Sequence, residues 1–285
     1  MEQIAVTKKL TPKARAEIRK VSCARMLHET PQNKSGTRMR FGKVTLYISS
    51  RRNVGYNYCD EKSIRDAPGT IKVTSAKDAI VSLRAAAQSD PRIRVVTITS
   101  SGDPLGSDTA FEVLAAIQKE FPHFTRCVVT DGLLLPRRLR KLQEVGVSAV
   151  ILNVNAVTAD VGAQIYSSVS LNGKILSGKE AFEVLSINQL EGLRNAADEG
   201  LLVEVNATYI PGVNSEHLVE VARIAKSLGA CVVNVTPLSS PRFDGADMPS
   251  NEEMAQIRRS CMDVCASEVL MYTAPNTLSY MSPEL

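Results

Sequence analysis

Residues 94–132 read RVVTITSSGDPLGSDTAFEVLAAIQKEFPHFTRCVVTDG, and this stretch decides the architecture. It opens on a β-branched run, turns through Gly and Pro, continues as an amphipathic helix and closes on a second β-branched run. Strand, crossover helix and strand in so short a span make a parallel pair with a right-handed connection. Neither run alternates cleanly between polar and apolar, as expected when both faces of a strand are covered. Working outward, similar runs recur at residues 44–48, 149–153, 203–208, 232–236 and 269–272. Amphipathic stretches at 109–120, 136–144, 178–198 and 216–228 fall between them. The alternation predicts an α/β protein, a partial (β/α)6 TIM-like barrel, with a doubly wound open sheet as the competing arrangement. Ser107 or Asp108 is expected to cap the helix after the second strand, and Gly146 and Gly229 to end two others.

Three segments follow from this reading. Residues 1–40 are polar, basic and irregular and form an N-terminal extension; 41–272 form the barrel; 273–285 form a short tail holding Pro275 and Pro283. The basic stretch Lys8, Lys9, Lys13, Arg15, Arg19 and Lys20 reads as one face of a surface helix. No apolar segment follows it, and runs such as Ala149-Val150-Ile151-Leu152 are too short to span a bilayer, so no membrane association is expected. The net charge of +4, without interleaved aromatic and basic residues, gives no reason to invoke nucleic acid. Six cysteines without a secretory signal point to the cytoplasm, where thiols pack or bind metal.

In parallel α/β folds ligands gather at the carboxyl ends of the strands. Three loops stand there: Ser100-Ser101-Gly102-Asp103-Pro104-Leu105, Thr130-Asp131-Gly132-Leu133 and Asn153-Val154-Asn155-Ala156. Glycine lets a backbone approach a ligand closely, and Asp103 has the charge to receive a cationic amine. Each loop taken alone is also an ordinary βα turn. No Ser/His/Asp arrangement, P-loop or HExxH is present.

Taken together with Asp160-Val161-Gly162-Ala163-Gln164-Ile165-Tyr166, Asn188-Gln189-Leu190-Glu191-Gly192 and Ile210-Pro211-Gly212-Val213-Asn214-Ser215-Glu216-His217-Leu218, these loops resemble the NifB family. That family comprises radical-SAM maturases of the nitrogenase cofactor. The similarity runs in order from about residue 20 to about 240. The resemblance implies that Gly102, Asp103 and Pro104 mark a vestigial S-adenosylmethionine loop.

The departures from the family carry as much weight. A radical-SAM enzyme holds a four-iron cubane with a C-x3-C-x2-C loop after the first strand, leaving one iron open for S-adenosylmethionine. Here the corresponding positions carry Arg52, Tyr56 and Cys59. Arginine cannot deprotonate to become a ligand, and a lone thiol does not hold such a cubane. S-adenosylmethionine is therefore not expected as a cofactor. The family's auxiliary clusters use an N-terminal Cys and His, a Cys after the triad, a Cys in the third strand and a C-terminal C-x2-C. Cys23 and His28 stand near the first pair, with a spacing one residue short, and Cys127 matches the strand cysteine. The other positions are lost, the C-terminal pair giving way to Thr273-Ala274-Pro275-Asn276-Thr277. Cys23, His28 and Cys127 are thus the candidate metal ligands for a preformed complex iron–sulfur cluster. A buried strand thiol with two surface remnants is the other reading of the same residues. Cys261 and Cys265 share a helix face, Cys231 opens a strand, His217 sits in a capping turn and His123 in a loop, all read as packing.

The expected function is a scaffold or carrier subunit, with protein partners, in a metallocofactor maturation or activation complex, without independent radical-SAM activity. The client is a nitrogenase-type or methanogen enzyme. Two alternatives remain open. One is an enzyme still using S-adenosylmethionine with a partner-completed or absent cluster, the other a purely structural interaction subunit.

Overall fold

The β-branched runs pair side by side in the order β11-β10-β9-β6-β5-β4-β1-β3, and every pairing between these neighbours is parallel. The strands are β1 (Gly42–Ile48), β3 (Thr70–Val73), β4 (Ile93–Ser100), β5 (Thr125–Thr130), β6 (Val147–Asn153), β9 (Leu202–Tyr209), β10 (Val232–Pro237) and β11 (Leu270–Tyr272). The computed structural model describes residues 42–58, 70–238, 248–265 and 270–272. The expected extension 1–40, the tail 273–285, Cys23, His28 and Cys59 lie outside the described residues. Helices α1 (Ala76–Ser89), α2 (Asp108–Glu120), α3 (Leu135–Glu144), α5 (Gly178–Asp198), α6 (His217–Ser227) and α7 (Asn251–Cys265) connect the strands. The sheet has two ends, β3 and β11, so the barrel is partial, as the sequence predicts. None of the described helices is long and apolar enough to cross a membrane.

Successive side chains along each strand leave on opposite faces. Val96, Ile98, Val128, Val150, Leu152, Val203 and Val205 join the main core with Leu114, Ile117, Leu142 and Leu193 from the helices. The alternate residues Cys127, Ala149, Leu202 and Val232 form a separate cluster with Cys231 and Ile151, which lines the barrel lumen. Register raises a polar row above it: Asn153 faces Asn206, and Asn206 faces Asn234. The lumen therefore changes from mostly apolar to amide-lined at the carboxyl end.

Between β6 and β9 the chain inserts α4 (Ala159–Ile165), β7 (Tyr166–Leu171) and β8 (Lys174–Leu176). β7 pairs antiparallel with β8 and with β2 (Val54–Tyr56), which lies in the loop after β1. Val54, Ile165, Tyr166, Val169, Phe182 and Leu185 make a second core under this small sheet. Gly162 makes the packing possible, since an added Cβ would stand 2.1 Å from the Phe182 ring. The ring is 1% exposed and has nowhere to move. Gly162→Ala is expected to cost about 1–3 kcal/mol by overpacking, read as a lower denaturation midpoint. Adding Phe182→Leu should recover part of that loss, because the two sites share one space.

Candidate functional site

The carboxyl ends of β4, β5, β6, β9 and β10 converge beneath β2, and their side chains form one hydrogen-bonded sheet of polar groups. Asn234 Nδ2 donates to Asn206 Oδ1 at 3.2 Å, and Asn206 Nδ2 to Asn153 Oδ1 at 3.3 Å. Asn153 Nδ2 then donates to Asp131 Oδ1 at 3.1 Å. From above, the Tyr56 hydroxyl donates to the same Asp131 oxygen at 2.5 Å. Tyr58 lies alongside, its hydroxyl accepting from Asn155 Nδ2 at 2.8 Å and donating to Thr208 Oγ1 at 3.3 Å. The two phenol rings meet edge to face, and Tyr56 also packs on Tyr166.

Below this row sits a second carboxylate. Asp103 is wholly buried and caps a short 3-10 turn at Pro104–Gly106, accepting from Leu105 N at 2.9 Å. Thr130 Oγ1 donates to both of its oxygens, at 3.0 and 2.8 Å. Burial, then the neighbouring Asp131 charge, push the Asp103 carboxyl up to about 7. Asp131 is raised as well, by burial, against the hydrogen bonds of Tyr56 and Asn153 and the positive charge of Arg52. Burial and Asp131 hold the Tyr56 phenol well above its ordinary value, so it stays a proton donor.

Gly102, Asp103 and Pro104 lie in the loop below the mouth. The Asp103 carboxylate faces into the fold with both oxygens engaged, not toward an incoming amine. Pro104 is buried in the 3-10 turn. A Cβ on Gly102 would lie 2.2 Å from the Arg51 carbonyl oxygen, so the glycine makes room for the chain at Arg51–Arg52.

The other loops that stood out in the sequence resolve into supports for this mouth. Gln189 on α5 is wholly buried and donates to the carbonyls of Asp131 and Asn153, at 2.9 and 2.8 Å. Gly192, one turn on, lets Leu135 of α3 approach, a Cβ there standing 2.9 Å from its side chain. Asn214 accepts from Ile210 N and donates to the carbonyls of Asn155 and Thr208. His217 Nε2 accepts from Val157 N at 2.8 Å, and partial burial lowers its pKa, so it is a neutral structural acceptor. The sequence marked these positions without their partners. It did not give the partners of Tyr58 or the pairing of Tyr56 with Asp131.

Of the candidate metal ligands only Cys127 lies within the described residues. It is fully buried in the lumen, and burial pushes its thiol up to about 12. Such a thiol is neutral unless a bound metal displaces its proton. Cys261 is buried in the main core, as expected. Cys231 is buried just before β10 and packs with Cys127 and Val232, as expected. Among the described residues no group of three His, Cys, Asp or Glu side chains is placed to hold a metal ion. At the positions where the resemblance puts cubane ligands, Arg52 is exposed and Tyr56 is bonded to Asp131. These residues do not fit a radical-SAM cubane.

Fold and sequence agree on the class. Residues 57–225, more than half of the chain, match the Radical SAM superfamily, and the chain belongs to it. The fold is similar to that of Streptococcus suis SuiB, with a TM-score of 0.58 and 14% identity over 82% of this chain and 49% of that one. The chain is 34% identical over 237 residues to the FeMo cofactor biosynthesis protein NifB of Klebsiella pneumoniae, covering 79% of this chain and 51% of that protein. It is 30% identical over 229 residues to that of Methanocaldococcus jannaschii, covering 78% of this chain and 76% of the relative. Within the superfamily it is a member of the NifB family. The chain spans about half the length of several curated relatives that it matches.

Proposed function

We propose that this NifB-family barrel has no independent radical-SAM activity and serves as a scaffold or carrier subunit. Its task is the assembly, transfer or activation of a complex iron–sulfur metallocofactor. The single observation that carries the reading is the ligand count in the loop after β1. A cubane with one open iron needs three thiolates there, and residues 52, 56 and 59 offer a guanidinium, a phenol and one thiol. The phenol is moreover committed to Asp131. Supporting the scaffold half of the reading, the residues that shape the barrel entrance tie it together: Asn155, Gln189 and Asn214 each bridge two or more groups of the mouth. A cargo cluster would draw on Cys127 with Cys23 and His28 as ligands, and its donor or recipient is a nitrogenase-type or methanogen enzyme.

With S-adenosylmethionine and dithionite under anaerobic conditions, the purified chain should form no 5′-deoxyadenosine above the protein-free control. Repeated turnover would refute the proposal. The carrier role is read from iron and sulfide bound after loading with a preformed cluster. Cys127→Ala should lower it, and an unchanged iron content would remove Cys127 from the ligand set.

A further inference from the structure

The loop after β1 poses a mechanical question. In a cubane-bearing barrel the metal ties this loop to itself, whereas here two of the three anchor positions bear other side chains. β2 has only three residues, paired on one side with β7. Two phenols reach from it and its flank to the main sheet: Tyr56 to Asp131 at the end of β5, and Tyr58 to Asn155 beyond β6 and Thr208 of β9. A 2.5 Å bond between a hydroxyl and a carboxylate lies in the charge-assisted range, roughly twice as strong as a neutral pair. Asp131 is placed to receive it. Its accepting oxygen also takes Asn153 Nδ2, Gln189 holds its carbonyl, and Arg52 contributes positive charge nearby.

We infer that Tyr56 and Asp131, backed by Tyr58, form a metal-free strut that holds the β2 segment over the barrel mouth where a cluster would otherwise anchor it. The inference rests on the reading of residues 52 and 56 as former ligand positions. Tyr56 is then a positioning residue, and the closed mouth belongs to the apoprotein. Iron is not needed to build it. The strut sets Tyr56 and Tyr58 at the edge of the part-buried amide row of Asn153, Asn206 and Asn234.

The experiment is hydrogen–deuterium exchange of the full chain, followed by mass spectrometry on peptides spanning 51–58, with 125–130 as the internal reference. In the metal-free wild type, amides of β2 and Asn57, whose N–H donates to Ile165 O at 2.9 Å, should be protected. Anaerobic treatment with iron and sulfide should leave that protection unchanged. Tyr56→Phe should speed exchange in 51–58 by about ten- to a hundred-fold, the loss expected for a hydrogen bond to a charged group, and leave 125–130 unchanged. Asp131→Asn, which retains an acceptor oxygen for Tyr56, should have a smaller effect than Asp131→Ala. Tyr58→Phe, which leaves the Tyr56 bond intact, supplies a second and milder probe. Unchanged exchange in both Tyr56→Phe and Asp131→Ala would overturn the strut, as would protection that appears only after iron loading. The 5′-deoxyadenosine assay reads the parent proposal separately. A silent assay with unaltered exchange discards the strut alone, whereas turnover discards the premise.

Discussion

Asp103→Asn is expected to stabilise the protein at pH 8 by up to a few kcal/mol and to do much less at pH 4.5. In the unfolded chain an aspartate titrates near about 3.9. In the folded chain burial and the Asp131 charge push Asp103 up to about 7. The folded state therefore binds the proton more tightly than the unfolded state. The stability this contributes is fully present below the unfolded pKa and is lost as pH rises through 7. Roughly three pH units of difference correspond to a loss on the order of 4 kcal/mol across that window. Asparagine abolishes the titration. Its carbonyl oxygen still serves the Leu105 N–H and the Thr130 hydroxyl at the Oδ1 position, and its amide nitrogen takes the Oδ2 position, where it can donate to the Thr130 hydroxyl oxygen. Burial raises the Asp131 carboxyl, while Tyr56, Asn153 and Arg52 favour its ionised form. Denaturant midpoints of wild type and variant at the two pH values check the prediction. An equal offset at both would mean that Asp103 does not carry the proton.

The strands were the most legible part of the sequence. The residue runs at 44–48, 95–99, 127–130, 149–153, 203–208, 232–236 and 269–272 each fall on a strand of the sheet, save Val269, which lies outside the described residues. They could be read because both faces are covered, which leaves unbroken β-branched runs. Ser107 caps α2 through Ala110 N, and Gly146 and Gly229 take φ of 68° and 94° at their helix ends, as the helix signals foretold. The small sheet was missed although its signal was present. Asn172 and Gly173 take φ of 53° and 77°, the conformation that an Asn-Gly hairpin turn requires, and they join β7 to β8. That turn falls between two long amphipathic stretches, where the βα period draws attention away from an antiparallel pair. Helix α1 was passed over despite Ser75, which accepts from Asp78 N while Asp78 bonds back to Thr74 N. At the mouth, sequence located the loops but not the hydrogen-bond partners of their side chains. Asn155, Asn214 and Gln189 have several possible partners each, and only the folded register chooses among them. The Tyr56–Asp131 pair joins residues 75 apart in the chain, a relation that no local pattern records.

Gly102→Ala is expected to lower stability by about 3 kcal/mol or more, a fall in Tm on the order of 10 °C for a domain of this size. The new methyl would lie 2.2 Å from the Arg51 carbonyl oxygen, 2.5 Å from its carbonyl carbon and 2.7 Å from Arg52 N. All three are backbone atoms, so no rotamer change relieves the overlap and the crossing chain must lift. That chain is tied down. Ser50 N donates to Ser101 Oγ, Ser101 Oγ donates to the Ser50 carbonyl, and Ser101 N donates to Ile48 O. Lifting residues 50–52 breaks these bonds and pulls on Tyr56 four residues beyond Arg52, so the damage should reach the Asp131 bond. Gly106→Ala, in the same loop, meets only Leu134 at 3.6 Å and should stay within about 1 kcal/mol of wild type. The pair of variants separates two explanations of one glycine. If residue 102 were glycine so that a ligand could approach, alanine would weaken ligand binding and spare the empty protein. Because the protein's own backbone occupies that space, the unliganded chain should already be the one that suffers, and thermal denaturation without additives decides it.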